Sequence, residues 1–279
     1  MRSDFHIISH EMSDDTNLGR VLFLNYHSID VGRSDRGYHV DPVYSVKRDA
    51  FEAQLAAIAA AKVPVLSLPE YLAQRRQRVP FTHDALVITF DDGFRTDYEV
   101  AYPLLARFGF SATFFVCLSN LGEESRWAQM RDMIAAGFTI GSHTLTHRYL
   151  TDLDRGELDH ELSASRRIIE QRTGQPVRYL APPGGRYDRS IIERAEHFGY
   201  RALLTTRVGA NDHTSDAMAL KRWTVRAQTS PAEFERMIVQ DPSELRKKQL
   251  RSRALDFGKR LLGDHAFDQL RSALLAARP

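Results

Sequence analysis

Apolar residues in this chain fall into short blocks of two periodicities. Runs of β-branched and aromatic residues read as buried strands over residues 20–28, 63–68, 85–90, 111–118, 139–143, 177–180, 201–205 and 220–225. Between them apolar positions recur at helical spacing. In 47–62, Phe51, Leu55, Ile58 and Ala59 fall at i, i+4, i+7 and i+8. Pro69 opens a second helix at its first turn. A third spans 98–108 with Tyr102, Leu105 and Phe108 on one side and Gly109 as its stop. Others are predicted over 125–136, closed by Gly137, over 155–172, stopped by Gly174 and Pro176, and over 190–198. Residues 29–46, with Gly32, Gly37 and Pro42, read as loop. This strand–helix alternation predicts an α/β fold with a mostly parallel sheet or barrel, whose chemistry gathers at the C-terminal ends of the strands.

Three segments follow. Residues 1–19 are a polar, flexible lead-in, 20–242 form one large α/β domain, and 243–279 change character. That tail holds nine Lys/Arg against four Asp/Glu, about +5 in a short piece, and repeats apolar residues at helical spacing from Leu250 to Leu274. It reads as a basic amphipathic helical extension. It either packs on the barrel as a hairpin or makes peripheral contact with a membrane surface or partner.

Composition narrows the picture little. The 279 residues are 43% hydrophobic and 27% charged, with a net charge of +2, ordinary for a globular protein. The basic excess is confined to the tail and lacks interleaved aromatics, which argues against nucleic acid. The single cysteine, Cys117, lies in an apolar run and is expected to be a buried thiol. There is no run of about 18 apolar residues to span a membrane. The N-terminal stretch lacks the basic-then-apolar pattern of a secretory signal, so a cytoplasmic address is expected.

The chemistry is concentrated in two motifs. Leu86-Val-Ile-Thr-Phe90 runs straight into Asp91, Asp92 and Gly93. Two carboxylates about 4 Å apart repel by roughly 4 kcal/mol at an effective dielectric near 20. A divalent cation would offset that. The alternative is that one Asp caps the next helix while the other faces water. The second motif, Thr139-Ile-Gly-Ser-His143-Thr-Leu-Thr-His147, ends another strand with two His four apart. A single helical turn would put both imidazoles on one side. Two His and a carboxylate form a common zinc ligand set, so together the motifs favour a metal site.

Thr89-Phe-Asp-Asp-Gly93 and Ser142-His143-Thr-Leu-Thr-His147 resemble the first two motifs of the polysaccharide deacetylases, the NodB-homology domain of carbohydrate esterase family 4. The resemblance runs from about residue 21 to about 231. It implies a distorted, incomplete (β/α) barrel that removes acyl groups from an acetylated amino sugar or glycan. It also implies that Asp92, His143 and His147 hold the metal and that Asp91 is the base. Zinc is the expected ion, with Co2+ or Ni2+ able to use the same ligands. N-acetyl is the expected acyl group, with formyl or O-acetyl as alternatives.

Two departures stand out. In the third motif, Leu180-Ala-Pro-Pro-Gly-Gly185, Ala181 stands where the family carries an Arg that tethers the base. Arg222 is the candidate replacement, with an ordinary solvated Arg as the alternative. Gly184 is the candidate oxyanion donor, although Pro-Pro-Gly-Gly could be a plain turn. The late general-acid His is also missing, since none occurs between His213 and His265. Asn25-Tyr-His27 at the end of the first strand resembles the poly-N-acetylglucosamine deacetylase branch, which implies that His27 is the acid. A structural or substrate-binding His is the other reading. With a cytoplasmic address, a precursor of a surface polysaccharide handled at the inner membrane face would be the substrate. A glycan-binding module that kept the barrel and lost the chemistry is the competing reading.

Overall fold

The computed structural model describes residues 18–32 and 40–251. Along the chain lie β1 (Val21–Tyr26), β2 (Ser28–Asp30), β3 (Ser45–Lys47), α1 (Arg48–Ala60), α2 (Leu68–Arg76) and β4 (Ala85–Phe90). Then come α3 (Tyr102–Phe108), β5 (Thr113–Val116), α4 (Ser125–Ala135), β6 (Thr139–Ser142), α5 (Arg155–Thr173) and β7 (Tyr179–Leu180). The last are α6 (Arg189–His197), β8 (Ala202–Leu203), β9 (Ala210–Asn211), β10 (Trp223–Thr224) and α7 (Pro231–Ile238).

The main sheet is parallel in the order β10-β1-β4-β5-β6-β7-β8, with β9 antiparallel beside β1. Past β8 a single bridge from Leu204 to Leu220 leads back toward β10. The sheet thus curls into an incomplete (β/α) barrel whose seam is one bridge, not a ladder.

The strands are buried on both faces, as a helix-covered parallel sheet requires. Leu22, Leu24 and Tyr26 of β1, with Leu86, Ile88 and Phe90 of β4, join a core that includes Phe51, Leu55, Leu105, Met130 and Leu162 of the helices. The alternate residues Val21, Phe23, Ala85 and Val87 join a second cluster with Phe115, Ala181, Leu204 and Leu220. This inner cluster fills the barrel and rests on Tyr71 and Phe81, which stack at 5.5 Å. The period-2 register continues past the apolar residues. Asn25, Thr89 and then Asp91 follow Phe23 and Val87 on the same face, so the inner core ends in polar groups at the mouth of the barrel.

Several expectations need correction. Residues 29–46 are not all loop, because β2 and β3 pair as a small separate parallel sheet. Residues 63–68 form no strand. Val65 makes one bridge to Leu86, and Leu68 is already helical because Ser67 and Glu70 form a capping box. The predicted helix over 98–108 begins as a π turn, Asp97–Ala101, before α3. The prediction also lacked β9 and α7. The start of α7 was readable, since the Ser230 side chain accepts from the Glu233 N–H with Pro231 in the first turn.

Residues 1–17 of the lead-in lie outside the described residues, while Gly19 pairs with Phe81. The tail is described only to residue 251. Its first turns are helical and packed: Leu245 joins the helix-side core, and Lys248 Nζ lies 2.6 Å from Glu233 Oε1 of α7. Leu250 is exposed, and the remaining apolar positions of the tail lie outside the described residues. No described helix is long and apolar enough to cross a membrane.

Candidate active site

The acidic motif sits on a sharp turn. Asp92 and Gly93 follow β4 with φ of 77° and 74°, two consecutive left-handed residues. Asp tolerates this region better than most side chains. Gly93 takes this conformation without strain, and a Cβ there would also lie tight against Val116, at 3.2 Å. The turn is held from outside. Arg126, buried on α4, donates to the carbonyls of Gly93 and Phe94 at 3.0 and 2.8 Å, and Asn120 donates to the Asp92 carbonyl at 3.1 Å.

The histidines reach the same place from β6. His143 Nε2 and His147 Nε2 lie 3.2 and 3.0 Å from Asp92 Oδ1, and the three potential ligand atoms are all within 4.8 Å of one another. They do not converge through a helical turn, as the spacing suggests. Thr144 and His147 adopt φ of 71° and 65°, and residues 143–147 form a bend. His143 Nδ1 lies 2.6 Å from the Ala181 carbonyl. A carbonyl only accepts, so Nδ1 carries a proton and Nε2 is the atom that can bind a cation.

The charges of these groups act on one another. Burial pushes the Asp92 carboxyl up, but the bonds from His143 and His147 hold it well below the usual carboxylate range. Burial lowers the His143 imidazole, yet the Asp91 charge and the Asp92 bond raise it overall. Two imidazole nitrogens and one carboxylate oxygen on one point suit a divalent metal.

Asp91 faces into the barrel beside this cluster, close enough for its charge to act on His143. Arg222 Nη1 and Nη2 donate to its Oδ1 and Oδ2 at 2.7 and 2.8 Å, and Asn25 Nδ2 donates to Oδ2 at 3.2 Å. Arg222 is fully buried, donates through Nε to the Thr205 carbonyl at 3.0 Å, and contacts Asn25 and Thr89 through Nη1. Burial raises the Asp91 carboxyl, but the guanidinium together with the charges of His143 and His27 outweighs it, and the net shift is downward. Ala181, where the family's Arg would stand, is a methyl in the inner core. The guanidinium instead enters from the segment just before β10.

His27 follows β1, its ring stacked on Tyr44 at 4.8 Å. It is close enough to feel the charges of Asp92, Asp91, Arg222 and His143, but burial dominates and its pKa falls. Its Nδ1 is buried without a hydrogen-bond partner among the described residues. Gly184 is left-handed, with φ of 64°. A Cβ there would meet the Tyr149 ring at 2.8 Å, and Thr206 Oγ1 donates to its carbonyl at 3.0 Å. Asn25 and Arg126 were missed as supports of the site. Asn25 was detectable, as a polar residue in inward register at the end of an apolar strand. Arg126, on a helix 33 residues beyond the carbonyl of Gly93 that it holds, carries no local signal.

A model of the polysaccharide deacetylase family matches residues 78–203. YxkH of Bacillus subtilis, assigned to the polysaccharide deacetylases, is 30% identical over 217 residues, covering 77% of this chain and 75% of its own length. The poly-β-1,6-N-acetyl-D-glucosamine N-deacetylase of Staphylococcus aureus is 34% identical over 145 residues, 49% of each chain. Among solved structures, the Streptococcus pyogenes deacetylase PplD, in complex with acetate, superposes with a TM-score of 0.67 at 25% identity, over 77% of this chain and 96% of its own. The incomplete barrel with its acidic and histidine loops at one mouth is therefore that of the polysaccharide deacetylases, and this chain belongs to that family.

Proposed function

We propose that the chain is a divalent-metal hydrolase that removes the N-acetyl group from an amino sugar of a glycan, with a surface polysaccharide or its precursor as substrate. The observation that carries this reading is the juxtaposition of two unlike carboxylates. Asp92 faces two imidazoles, while its neighbour Asp91 is locked against a buried guanidinium. A binding module needs the first arrangement at most. It has no use for an ionised, oriented base one residue away.

Asp92, His143 and His147 would hold the ion, zinc first by donor set and Co2+ or Ni2+ by the same set. When bound, a divalent cation supplies Lewis-acid polarisation of the acyl carbonyl and lowers the pKa of water beside it. Asp91 takes the proton that the attacking water loses. A carboxylate has about four acceptor sites. Arg222 and Asn25 use three, with two of these bonds on Oδ2 and one on Oδ1. The site left for the proton is on Oδ1.

As the tetrahedral centre forms, the Gly184 N–H is the backbone donor assigned to its oxyanion. When the C–N bond breaks, the leaving nitrogen takes a proton from His27. Burial lowers the pKa of that ring, which makes it a readier donor, and the proton that Asp91 took from the water restores it before the next turnover. The S. aureus relative, named for poly-β-1,6-N-acetylglucosamine, supports an N-acetylglucosamine unit as substrate.

Acetate release from β-1,6- and β-1,4-linked N-acetylglucosamine oligomers tests the reading. Release that is lost after chelation, restored by Zn2+ or Co2+ and abolished in Asp91→Asn is expected. Binding of the oligomers without metal-dependent release would identify a glycan-binding module instead.

A further inference from the structure

We infer that Glu161 is a positioning residue that sets the loop carrying His147 to the ligand cluster. The inference rests on the metal-site reading above and goes beyond it, because no ligand or acid–base role reaches as far as α5.

Glu161 lies in the body of α5, 4% exposed. Its Oε2 accepts from the backbone N–H groups of Leu145 and Thr146 at 2.8 and 3.1 Å, and its Oε1 accepts from the Thr146 hydroxyl. From the opposite side, the N–H groups of Leu118 and Ser119 donate to the carbonyls of Thr144 and Leu145 at 3.3 and 2.9 Å. The loop is thus gripped by its N–H groups on one wall and its carbonyls on the other. The grip is needed because the backbone is strained at both ends. Thr144 is β-branched at a φ of 71°, where such residues are outliers, and His147 sits at 65°. Such conformations persist only where the surroundings impose them.

The two histidines differ in what orients them. His143 is buried and its Nδ1 is fixed by the Ala181 carbonyl. The His147 side chain is 44% exposed, so its direction depends on the backbone that carries it. Glu161 does for His147 what the Ala181 carbonyl does for His143, one step further removed.

Zn2+ affinity, measured by competition with a chromophoric chelator at neutral pH, provides the test, with the visible spectrum of the Co2+-loaded protein as a geometric readout. Groups that orient metal ligands typically contribute about 10–100-fold to affinity, and Glu161→Ala is expected to lose that much, with an altered Co2+ spectrum and a lower kcat at little-changed KM. Glu161→Gln should recover most of the loss. Its amide oxygen keeps both backbone bonds, and its NH2 can donate to the Thr146 hydroxyl. Glu161→Ala with Zn2+ affinity within about twofold of wild type would overturn the inference, as would Glu161→Gln as weak as Glu161→Ala. Should Glu161→Ala fail to fold, Thr146→Val removes only the hydroxyl bond. A loss of about fivefold, the worth of one such bond, is then expected, and unchanged affinity would overturn the inference. Asp92→Ala separates the two levels. If wild type and Asp92→Ala bind Zn2+ equally, the metal site itself is wrong. If only Glu161→Ala matches wild type, the site stands and Glu161 has no part in it.

Discussion

Arg222 and Asp91, 131 positions apart in the chain, meet in a two-point ion pair at the mouth of the barrel, Nη1 to Oδ1 at 2.7 Å and Nη2 to Oδ2 at 2.8 Å. Both side chains are buried, and Asn25 and Thr89 beneath them accept from the same guanidinium. The pair joins the strand that carries the acids to the segment that enters β10, across β1. A charged group supplied from outside the third motif thus holds the carboxylate where Ala181 cannot.

A buried carboxylate left without its cation is expensive. Arg222→Met should cost roughly 3–5 kcal/mol of stability, the usual result of removing one partner of a buried pair. Arg222→Lys keeps the charge but loses the fork, and should cost less stability while lowering kcat at least about tenfold, since a point charge cannot hold both oxygens. Urea unfolding and acetate-release kinetics on the three proteins check this. Equal kcat in wild type and Arg222→Lys would show that two-point orientation is not needed.

The pair also has a definite pH signature in EDTA-treated protein. The Asp91 carboxyl is depressed in the folded state relative to an unfolded value of about 3.9. A depressed acid contributes stability that is fully present above the unfolded pKa and is lost as pH falls through the folded one. The stability difference between wild type and Asp91→Asn should therefore shrink as pH falls below about 4. In an Arg222→Met background the guanidinium is gone while burial, which raises the carboxyl, remains. There only His143 and His27 oppose burial, so Asp91→Asn should cost less stability at neutral pH than it does with Arg222 in place. Chemical denaturation at several pH values reads both outcomes.

What was legible in the sequence followed from local patterns. The apolar run from Leu86 to Phe90 placed the acids at a strand end, and period-2 alternation explains why Asp91 faces inward, while the left-handed turn at Asp92 redirects the second acid. Two- and three-residue strands such as β9 and β2 carry too little pattern to be read, and they exist because neighbouring strands present free edges. The histidine loop misled for a physical reason. A four-residue spacing suits a helical turn, and nothing local announces that Thr144, a β-branched residue, is held left-handed by distant groups. Arg222 could be named as the candidate tether of Asp91 only through the family pattern, because the two lie too far apart along the chain for spacing to pair them.

Metal loading should be separable from folding. Asp92, His143 and His147 close a ligand set between two loops, so an ion bound there links the ends of β4 and β6. Saturating Zn2+ at about 100 times its Kd should add roughly 2.7 kcal/mol to unfolding, and His147→Ala should abolish most of that gain while barely changing the stability of chelated protein. His147 is the exposed member of the set, which is why its loss is expected to leave the fold intact. Thermal unfolding with EDTA and with Zn2+ decides this. A Zn2+-induced shift of full size in His147→Ala would remove His147 from the ligand set.

Gly184 is constrained in two independent ways, and they can be separated. Its φ of 64° is strained for any residue with a Cβ, and the space that atom would enter is filled by the Tyr149 ring at 2.8 Å. Arg186 stacks on that ring, 3.7 Å from its centroid, and its own side chain lies 3.7 Å from the added Cβ. Gly184→Ala should therefore cost about 1–3 kcal/mol from the backbone and more from the clash. It should also lower kcat with KM little changed, because shifting the 183–185 turn moves the N–H assigned to the oxyanion. Tyr149→Ala in the same chain removes the clash but not the left-handed strain. If the double variant recovers stability and not kcat, the turn's backbone carries the catalytic effect. If Gly184→Ala alone retains wild-type kcat in folded protein, the oxyanion donor lies elsewhere.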